Sequence, residues 1–361
     1  MLKEGTRRHT SAEIAEFFDF YGASIGMPYN LDNSSFTLYS LSKHLEILLP
    51  MVAEILTNAA FPAHELTSLI ERYKQRLQVD LNRADVVAYR QLTEFIYGAT
   101  HPYGYNSSKA GFEGLTRADL QQHFKQHFHA GNCMIVISGK LASNTANLLE
   151  RYLGKIPKQA TSISNDFPAI IDSPQHVYIP HNEKSQSAIR IGRRLFNRKH
   201  PDFLGMYVLS TLFGGYFGSR LMMNIREQNG YTYGVYSSLD TMRHSGFLYI
   251  ATEVGNEFIE LTLKEIYKEM KVLRETEASA EELQMLRNYL MGTLLNGLDG
   301  AFNASELVRA LVLDGLPLSY FQDLVNTILH ITPKQLQQLA QQYLQEEDFW
   351  QVVVGNQPIA T

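Results

Sequence analysis

Apolar positions along the chain fall into two periods. Leu120, Phe124 and Phe128 recur every four residues, as do Leu221 and Ile225, which is the spacing of one helix face. Short apolar runs from Cys133 to Gly139, His176 to Pro180, Ala188 to Arg193 and Phe349 to Gly355 read instead as strands. A helix is expected from about Pro201 to Phe213. Cys133, in the run Cys-Met-Ile-Val-Ile-Ser, reads as a buried strand residue.

These elements repeat. Thr116-Arg-Ala-Asp-Leu-Gln-Gln-His-Phe is echoed 216 positions later by Thr332-Pro-Lys-Gln-Leu-Gln-Gln-Leu-Ala. Both open a helix: Thr116 with Asp119 makes a capping box, and Thr332 precedes a proline at the first helical position. Each helix leads to a strand-like run ending in glycine, Gly139 and Gly355, again 216 apart. Ser35 to Tyr39 followed by an apolar helix resembles Gly246 to Tyr249 followed by Phe258 to Val272. Helices starting near Pro62 to Glu65 and at Ser279/Glu282 also correspond. Four elements in one order at a nearly constant offset describe a duplication.

The pattern predicts an α+β protein of two homologous modules, each a mixed or antiparallel sheet with one face covered by helices. Residues 1–156 form the first, 157–173 a linker within the Pro-, Ser- and Asn-containing stretch Lys155 to Pro174, and 174–361 the second. Copy two opens with the runs at His176 and Ala188. The equivalent start of copy one falls 42 residues before residue zero, so the first module is expected to lack roughly its first forty residues.

Length and charge narrow the function. A chain of 361 residues exceeds one comfortable core. The net charge of −5, with no basic stripe, argues against nucleic acid as a partner. No apolar stretch is long enough to cross a bilayer, so no membrane partner is expected. One cysteine excludes an internal disulfide and a Cys-rich zinc site. Without a visible signal peptide or disulfides the expectation is cytoplasmic, or periplasmic if Met1 is not the true start.

The most informative stretch is Gly214-Gly-Tyr-Phe-Gly-Ser-Arg-Leu-Met-Met-Asn-Ile-Arg-Glu-Gln-Asn-Gly-Tyr-Thr-Tyr-Gly-Val-Tyr-Ser238. A glycine-rich turn opens a helix near Ser219, Asn229-Gly230 ends it with a left-handed cap, and a strand with alternating aromatics follows. The turn lacks the Gly-Lys-Ser/Thr ending of a phosphate loop. Its glycines suit close backbone approach, either packing or a peptide running past.

The pattern Gly-Gly…Ser-Arg-Leu…Ile-Arg-Glu…Gly-x-x-Tyr-Gly-Val resembles the C-terminal domain of the M16 (insulinase/pitrilysin) zinc peptidases. In particular it resembles their bacterial two-domain form, related to mitochondrial processing peptidase. Met1-Leu-Lys-Glu-Gly-Thr6, His101-Pro-Tyr-Gly104 and the helix before Cys133 resemble the family's N-terminal domain. The resemblance implies the fold shared by LuxS metalloenzymes and M16 peptidases. The family holds zinc through an inverted His-x-x-Glu-His motif and a later glutamate reached by Glu-x6-Glu. The first would lie before the stretch matched by Met1 to Thr6. In the second, Glu71 is in place but Gln78 stands at the ligand position, and an amide oxygen is a poor substitute for carboxylate. No metal ligand and no cofactor are therefore expected in this chain, and zinc is expected in a partner.

The family's C-terminal domain also contributes an Arg-x6-Tyr pair that grips substrate beside the zinc, matched here by Arg226 and Tyr233. Guanidinium gives directional bonds to a peptide carbonyl, and a phenol can donate to a developing oxyanion. The resemblance implies the substrate-binding, non-zinc subunit of a heterodimeric metalloendopeptidase. Arg226 and Tyr233 would act in trans, Gly214, Gly215 and Gly218 would line the peptide site, and a His-x-x-Glu-His subunit would be the partner. An unfolded or extended peptide would be the substrate, and no activity is expected of the chain alone. The alternative is a catalytically silent M16-fold scaffold or assembly protein; an active zinc enzyme with its motif before Met1 is a third reading. Plain structural roles also exist for the pair: a cation in a last helical turn complements the dipole, and a tyrosine packs in a strand. Asp119, His123 and His127 share one helix face, with His129 near, and read as a solvated polar face with at most adventitious metal.

Overall fold

The computed structural model describes residues 1–159, 173–182 and 185–356. The described chain forms two compact units, Met1–Gln78 with Ser107–Asp166 and Val79–Asn106 with Phe167–Thr361. The segment 79–106 thus belongs with the C-terminal residues. Most of the stretch expected to be a linker lies outside the described residues.

In chain order the N-terminal half runs α1 (Ser11–Phe20), β1 (Ser24–Gly26), β2 (Thr37–Tyr39), α2 (Leu45–Asn58), α3 (Ala63–Asp80), α4 (Ala84–Tyr97), α5 (Lys109–Glu113), α6 (Arg117–His127) and α7 (Thr145–Leu153). The C-terminal half runs β3 (His176–Pro180), β4 (Gln186–Leu195), α8 (Phe203–Ser210), β5 (Thr232–Thr241), β6 (Gly246–Gly255) and α9 (Ile259–Glu275). Helices α10 (Ala280–Gly297), α11 (Gly300–Leu313), α12 (Tyr320–His330) and α13 (Pro333–Tyr343) follow, then β7 (Trp350–Gly355). Hairpin, helix, helix recur in both halves: β1–β2, α2 and α3 correspond to β5–β6, α9 and α10. The echoed sequences also start alike. Thr116 and Thr332 each make a capping box, with Asp119 and Gln335, at α6 and α13.

The first unit packs α1, α2 and α7 around Ile14, Phe18, Leu48, Ile55 and Leu153. Among the described residues its strand pairing is limited to the three-residue antiparallel pair β1–β2 and isolated bridges. The run at Cys133 is not a strand, contrary to its sequence pattern. Cys133 is exposed, and Met134, Ile135 and Val136 are 38–49% exposed. The repeat supplies the reason. In the second unit the equivalent β7 lies between β3 and β4, which bond it on both edges. Among the described residues the first unit has no counterpart of those two strands, so the run has no ladder to join.

The second unit holds a five-stranded sheet in the order β3-β7-β4-β6-β5, with β3 and β7 parallel and the other pairs antiparallel. One face carries Ile189, Ile191, Val235, Leu248, Ile250 and Val353 into the main core with residues of α8, α9, α10 and α13. One covered face was expected; both are covered. Ala188, Phe247, Tyr249, Ala251, Trp350, Val352 and Val354 point the other way, against Ala84, Ala88, Leu92 and Ile96 of α4. Burial on both faces explains why β7 reads as an unbroken Val-Val-Val run and not as an alternation. Leu92 and Ile96 are completely buried there, each worth about 1.5–3 kcal/mol of apolar transfer. Among the described residues no helix is long and apolar enough to cross a membrane.

Candidate functional site

The glycine-rich stretch lies wholly in the second unit, between α8 and β5. It is built from two π-helical segments, Thr211–Gly215 and Met222–Gln228, which flank a short turn. Wide turns of this kind are uncommon and concentrate at functional sites, because they re-aim side chains that an α-helix would stack in register. Leu221 and Ile225 bury the inner face of the second segment. Gly214 is buried against β5: a Cβ there would sit 2.5 Å from the Ser237 amide nitrogen. That glycine is required by close backbone approach. Gly215 is exposed and Gly218 half-buried.

Two side-chain contacts tie the turn to α10. The Tyr216 ring stacks on Tyr289 with centroids 4.8 Å apart. Arg220 donates from Nε and Nη2 to the two carboxylate oxygens of Glu282, at 2.8 and 3.0 Å. Burial, then the Glu282 charge, push the Tyr216 phenol above its ordinary pKa and keep it protonated.

Gly230, with φ +68°, turns the chain from the second π segment into β5, as its sequence position predicts. Strand β5 begins irregularly. Its register against β6 slips between Thr232 and Val235, and the Thr232 hydroxyl lies 3.0 Å from the Gly234 carbonyl and 2.7 Å from that of Glu253. Tyr233 sits in this bulge and is 90% exposed. Bulges turn a side chain away from the pleat, and here the phenol is left in solvent. Arg226 is partly exposed, its guanidinium 5.1 Å from the centre of the Phe217 ring and its Nε 3.5 Å from Glu227. The aromatic face holds the cation without consuming its donors.

Between the glycine-rich turn and β5 lies an open cleft of about 750 Å³. Of the five residues singled out in the sequence, Gly214, Gly215 and Tyr233 line it. Arg226 and Gly218 do not, although Arg226 leans on Phe217, which does. The cleft also draws on Phe217, Tyr236, Gln186 and Glu253, which the sequence did not flag. Phe217 stood inside the motif; Glu253 comes from β6 and is found only through the sheet register, which sets it beside Arg190 with Nη2 at 2.7 Å.

Gln78 and Glu71 are exposed on α3, and Glu71 accepts from Lys74 at 3.0 Å. The His123 and His127 rings lie 4.5 Å apart on α6, while His129 is buried. Among the described residues no three His, Cys, Asp or Glu side chains are grouped so as to hold a metal ion. These residues do not fit a resident zinc of the M16 type.

Residues 114–290 match the Peptidase M16 inactive domain. The uncharacterized zinc protease YmxG of Bacillus subtilis is 21% identical over 304 residues, 83% of this chain and 73% of that protein. The non-peptidase homolog YmxG of Helicobacter pylori is 22% identical over 368 residues, 99% of this chain and 83% of that protein. The crystal structure of a peptidase M16 inactive domain from Pseudomonas fluorescens superimposes with a TM-score of 0.85 at 26% identity, covering 100% of this chain and 88% of that one. A protease from Helicobacter pylori superimposes with a TM-score of 0.87 at 15% identity, covering 98% and 87%. Just under half of the chain thus matches the M16 inactive domain, and the described fold is that of M16 structures.

Proposed function

We propose that this protein is the non-zinc subunit of a two-component M16 metallopeptidase, binding an extended or unfolded peptide and lending Arg226 and Tyr233 to a zinc-bearing partner. The exposure of Tyr233 carries this reading. A tyrosine kept for packing is buried, whereas this one is held out of its strand by a bulge beside a cleft. Arg226 offers guanidinium donors to a peptide carbonyl, and the Tyr233 hydroxyl can donate to an oxyanion forming on that carbonyl. Gly214 and Gly215 line the cleft along which a peptide backbone would pass in this reading. The zinc and its ligands belong to the partner in this reading.

The rival reading is a scaffold that keeps the fold without a peptidase role; the name of the Helicobacter pylori relative, a non-peptidase homolog, favours it. The two separate by assay. Cleavage of denatured, fluorescein-labelled casein is measured with this chain alone and with the complex it captures from its source cells, with and without chelator. Chelator-sensitive cleavage by the complex only is expected. Cleavage by neither supports the scaffold, and cleavage by the chain alone contradicts the subunit assignment.

A further inference from the structure

We infer that Asn224 is the positioning residue that sets Arg226 and Tyr233 in their relative places, an inference that rests on the peptide-site reading above. Asn224 lies one helical turn from the core residue Leu221 and is only 8% exposed. Its amide nitrogen donates to two carboxylates of α9, Glu265 at 2.8 Å and Glu269 at 2.7 Å. Its side-chain oxygen accepts from the Asn229 amide at 2.7 Å, and its carbonyl accepts from the same amide nitrogen at 2.9 Å. Every polar atom of the Asn224 side chain is thereby engaged, in both directions.

The position of this hub decides what it controls. Arg226 follows two residues later on the same π segment, whose wide turns close through Asn229 N–H to the Asn224 carbonyl and Tyr231 N–H to the Ile225 carbonyl, at 3.1 and 3.0 Å. Asn229 precedes the Gly230 turn that feeds the bulge at Tyr233. One side chain therefore ties three pieces together: the segment bearing Arg226, the turn that aims Tyr233, and the rigid α9. Tyr233 is 90% exposed, and Arg226 rests on Phe217 and Glu227 of its own stretch. The two glutamates do not repel each other freely. They share the amide, and Lys268 donates to Glu265 at 2.8 Å, which together hold the Glu265 carboxyl below its ordinary pKa.

Asparagine is needed because it alone presents two donors to the glutamates and an acceptor to Asn229 from one short side chain. Asn224→Asp keeps the shape and the acceptor but sets a third carboxylate against Glu265 and Glu269 with no donor. Asn224 contacts those glutamates and Asn229; Lys268 and Lys264 act on Glu265, Tyr231 lies near Lys268, and Arg226 and Glu227 follow on its own segment. Neighbouring carboxylates raise the pKa of such a group, so mild acid returns one proton and one donated hydrogen bond.

Hydrogen exchange and casein cleavage by the captured complex are measured at pH 7.5 and 5.0 for wild type, Asn224→Asp and Arg226→Ala. For Asn224→Asp at pH 7.5, protection of amides in 226–236 should fall about tenfold or more, since charge-assisted bonds are lost. Cleavage relative to wild type should fall by a similar factor, and both ratios should recover in part at pH 5.0. Asn229→Ala, a surface change that keeps the core, should give the same loss at both pH values without recovery. Unchanged protection in both variants overturns the inference. Lost protection with normal cleavage overturns the positioning role while Arg226→Ala remains impaired; if Arg226→Ala is also normal, the peptide-site reading itself fails.

Discussion

Replacing Leu92 by alanine tests whether a helix from the N-terminal half is structural to the C-terminal sheet. Leu92 is fully buried between α4 and the sheet, where its Cδ2 lies 3.0 Å from the point a Cβ on Gly192 would occupy. Gly192 opens the space that Leu92 fills, so no neighbour can readily move in after truncation. Losing the side chain removes its transfer energy and leaves a cavity, together about 3 kcal/mol within the usual range of 2–5. For a unit of this size, each kcal/mol lowers the melting temperature by about 2–4 °C, giving a fall of about 6–12 °C. The assay is built in. Trp350 is the single tryptophan, is buried in β7, and belongs to the same apolar cluster as Leu92. Thermal unfolding followed by Trp350 fluorescence should therefore show the whole shift. A transition within about 2 °C of wild type would refute the assignment of α4 to this core.

Three further outcomes follow from local geometry. Asp240 is held above the usual carboxylate range by burial, only partly offset by hydrogen bonds from Tyr89, at 2.7 Å, and Ser238. The native state thus binds this proton more tightly than the unfolded chain, and its contribution to stability is lost as pH rises from the ordinary carboxylate range through the raised value; urea midpoints of Asp240→Asn should decline less with pH than wild type, and parallel curves would contradict the assignment. Gly214→Ala places a Cβ 2.5 Å from the Ser237 nitrogen and should cost about 1–3 kcal/mol in denaturant unfolding, whereas Gly234→Ala, with nothing within 4 Å, should meet no clash. Cys133 is exposed although burial of its thiol by neighbouring atoms raises its pKa, so a thiol reagent should label the native protein completely but slowly at neutral pH; full protection would contradict the exposure of Cys133.

The parts legible in the sequence are those fixed by local chemistry. The caps at Thr116 and Thr332, the Gly230 turn, and the runs that became β3, β4 and β7 need only a few neighbouring residues to specify them. The run at Cys133 has the composition of β7, but a strand exists only if its neighbours do. The membership of α4 in the second unit was hidden for a related reason. Its amphipathic pattern declares an apolar face without saying which sheet that face covers. Arg226 and Tyr233 stood out through the motif around them, while the π-helical winding and the β5 bulge that aim them arise from packing of Gly214, Asn224 and Thr232 against distant strands and helices. Glu253 and Tyr236 carry no signal of their own and enter the cleft through sheet register.

The most direct test of the proposed role replaces Arg226 by alanine and Tyr233 by phenylalanine, one at a time, in the complex captured from source cells. Casein cleavage is compared after equal recovery of the complex and equal melting temperature have been verified. Each variant is expected to lose cleavage by about tenfold to a thousandfold, the range for removing a directional donor from a forming oxyanion or its carbonyl, with assembly unchanged. Wild-type cleavage by both assembled variants would contradict the assignment of this pair to a peptidase site.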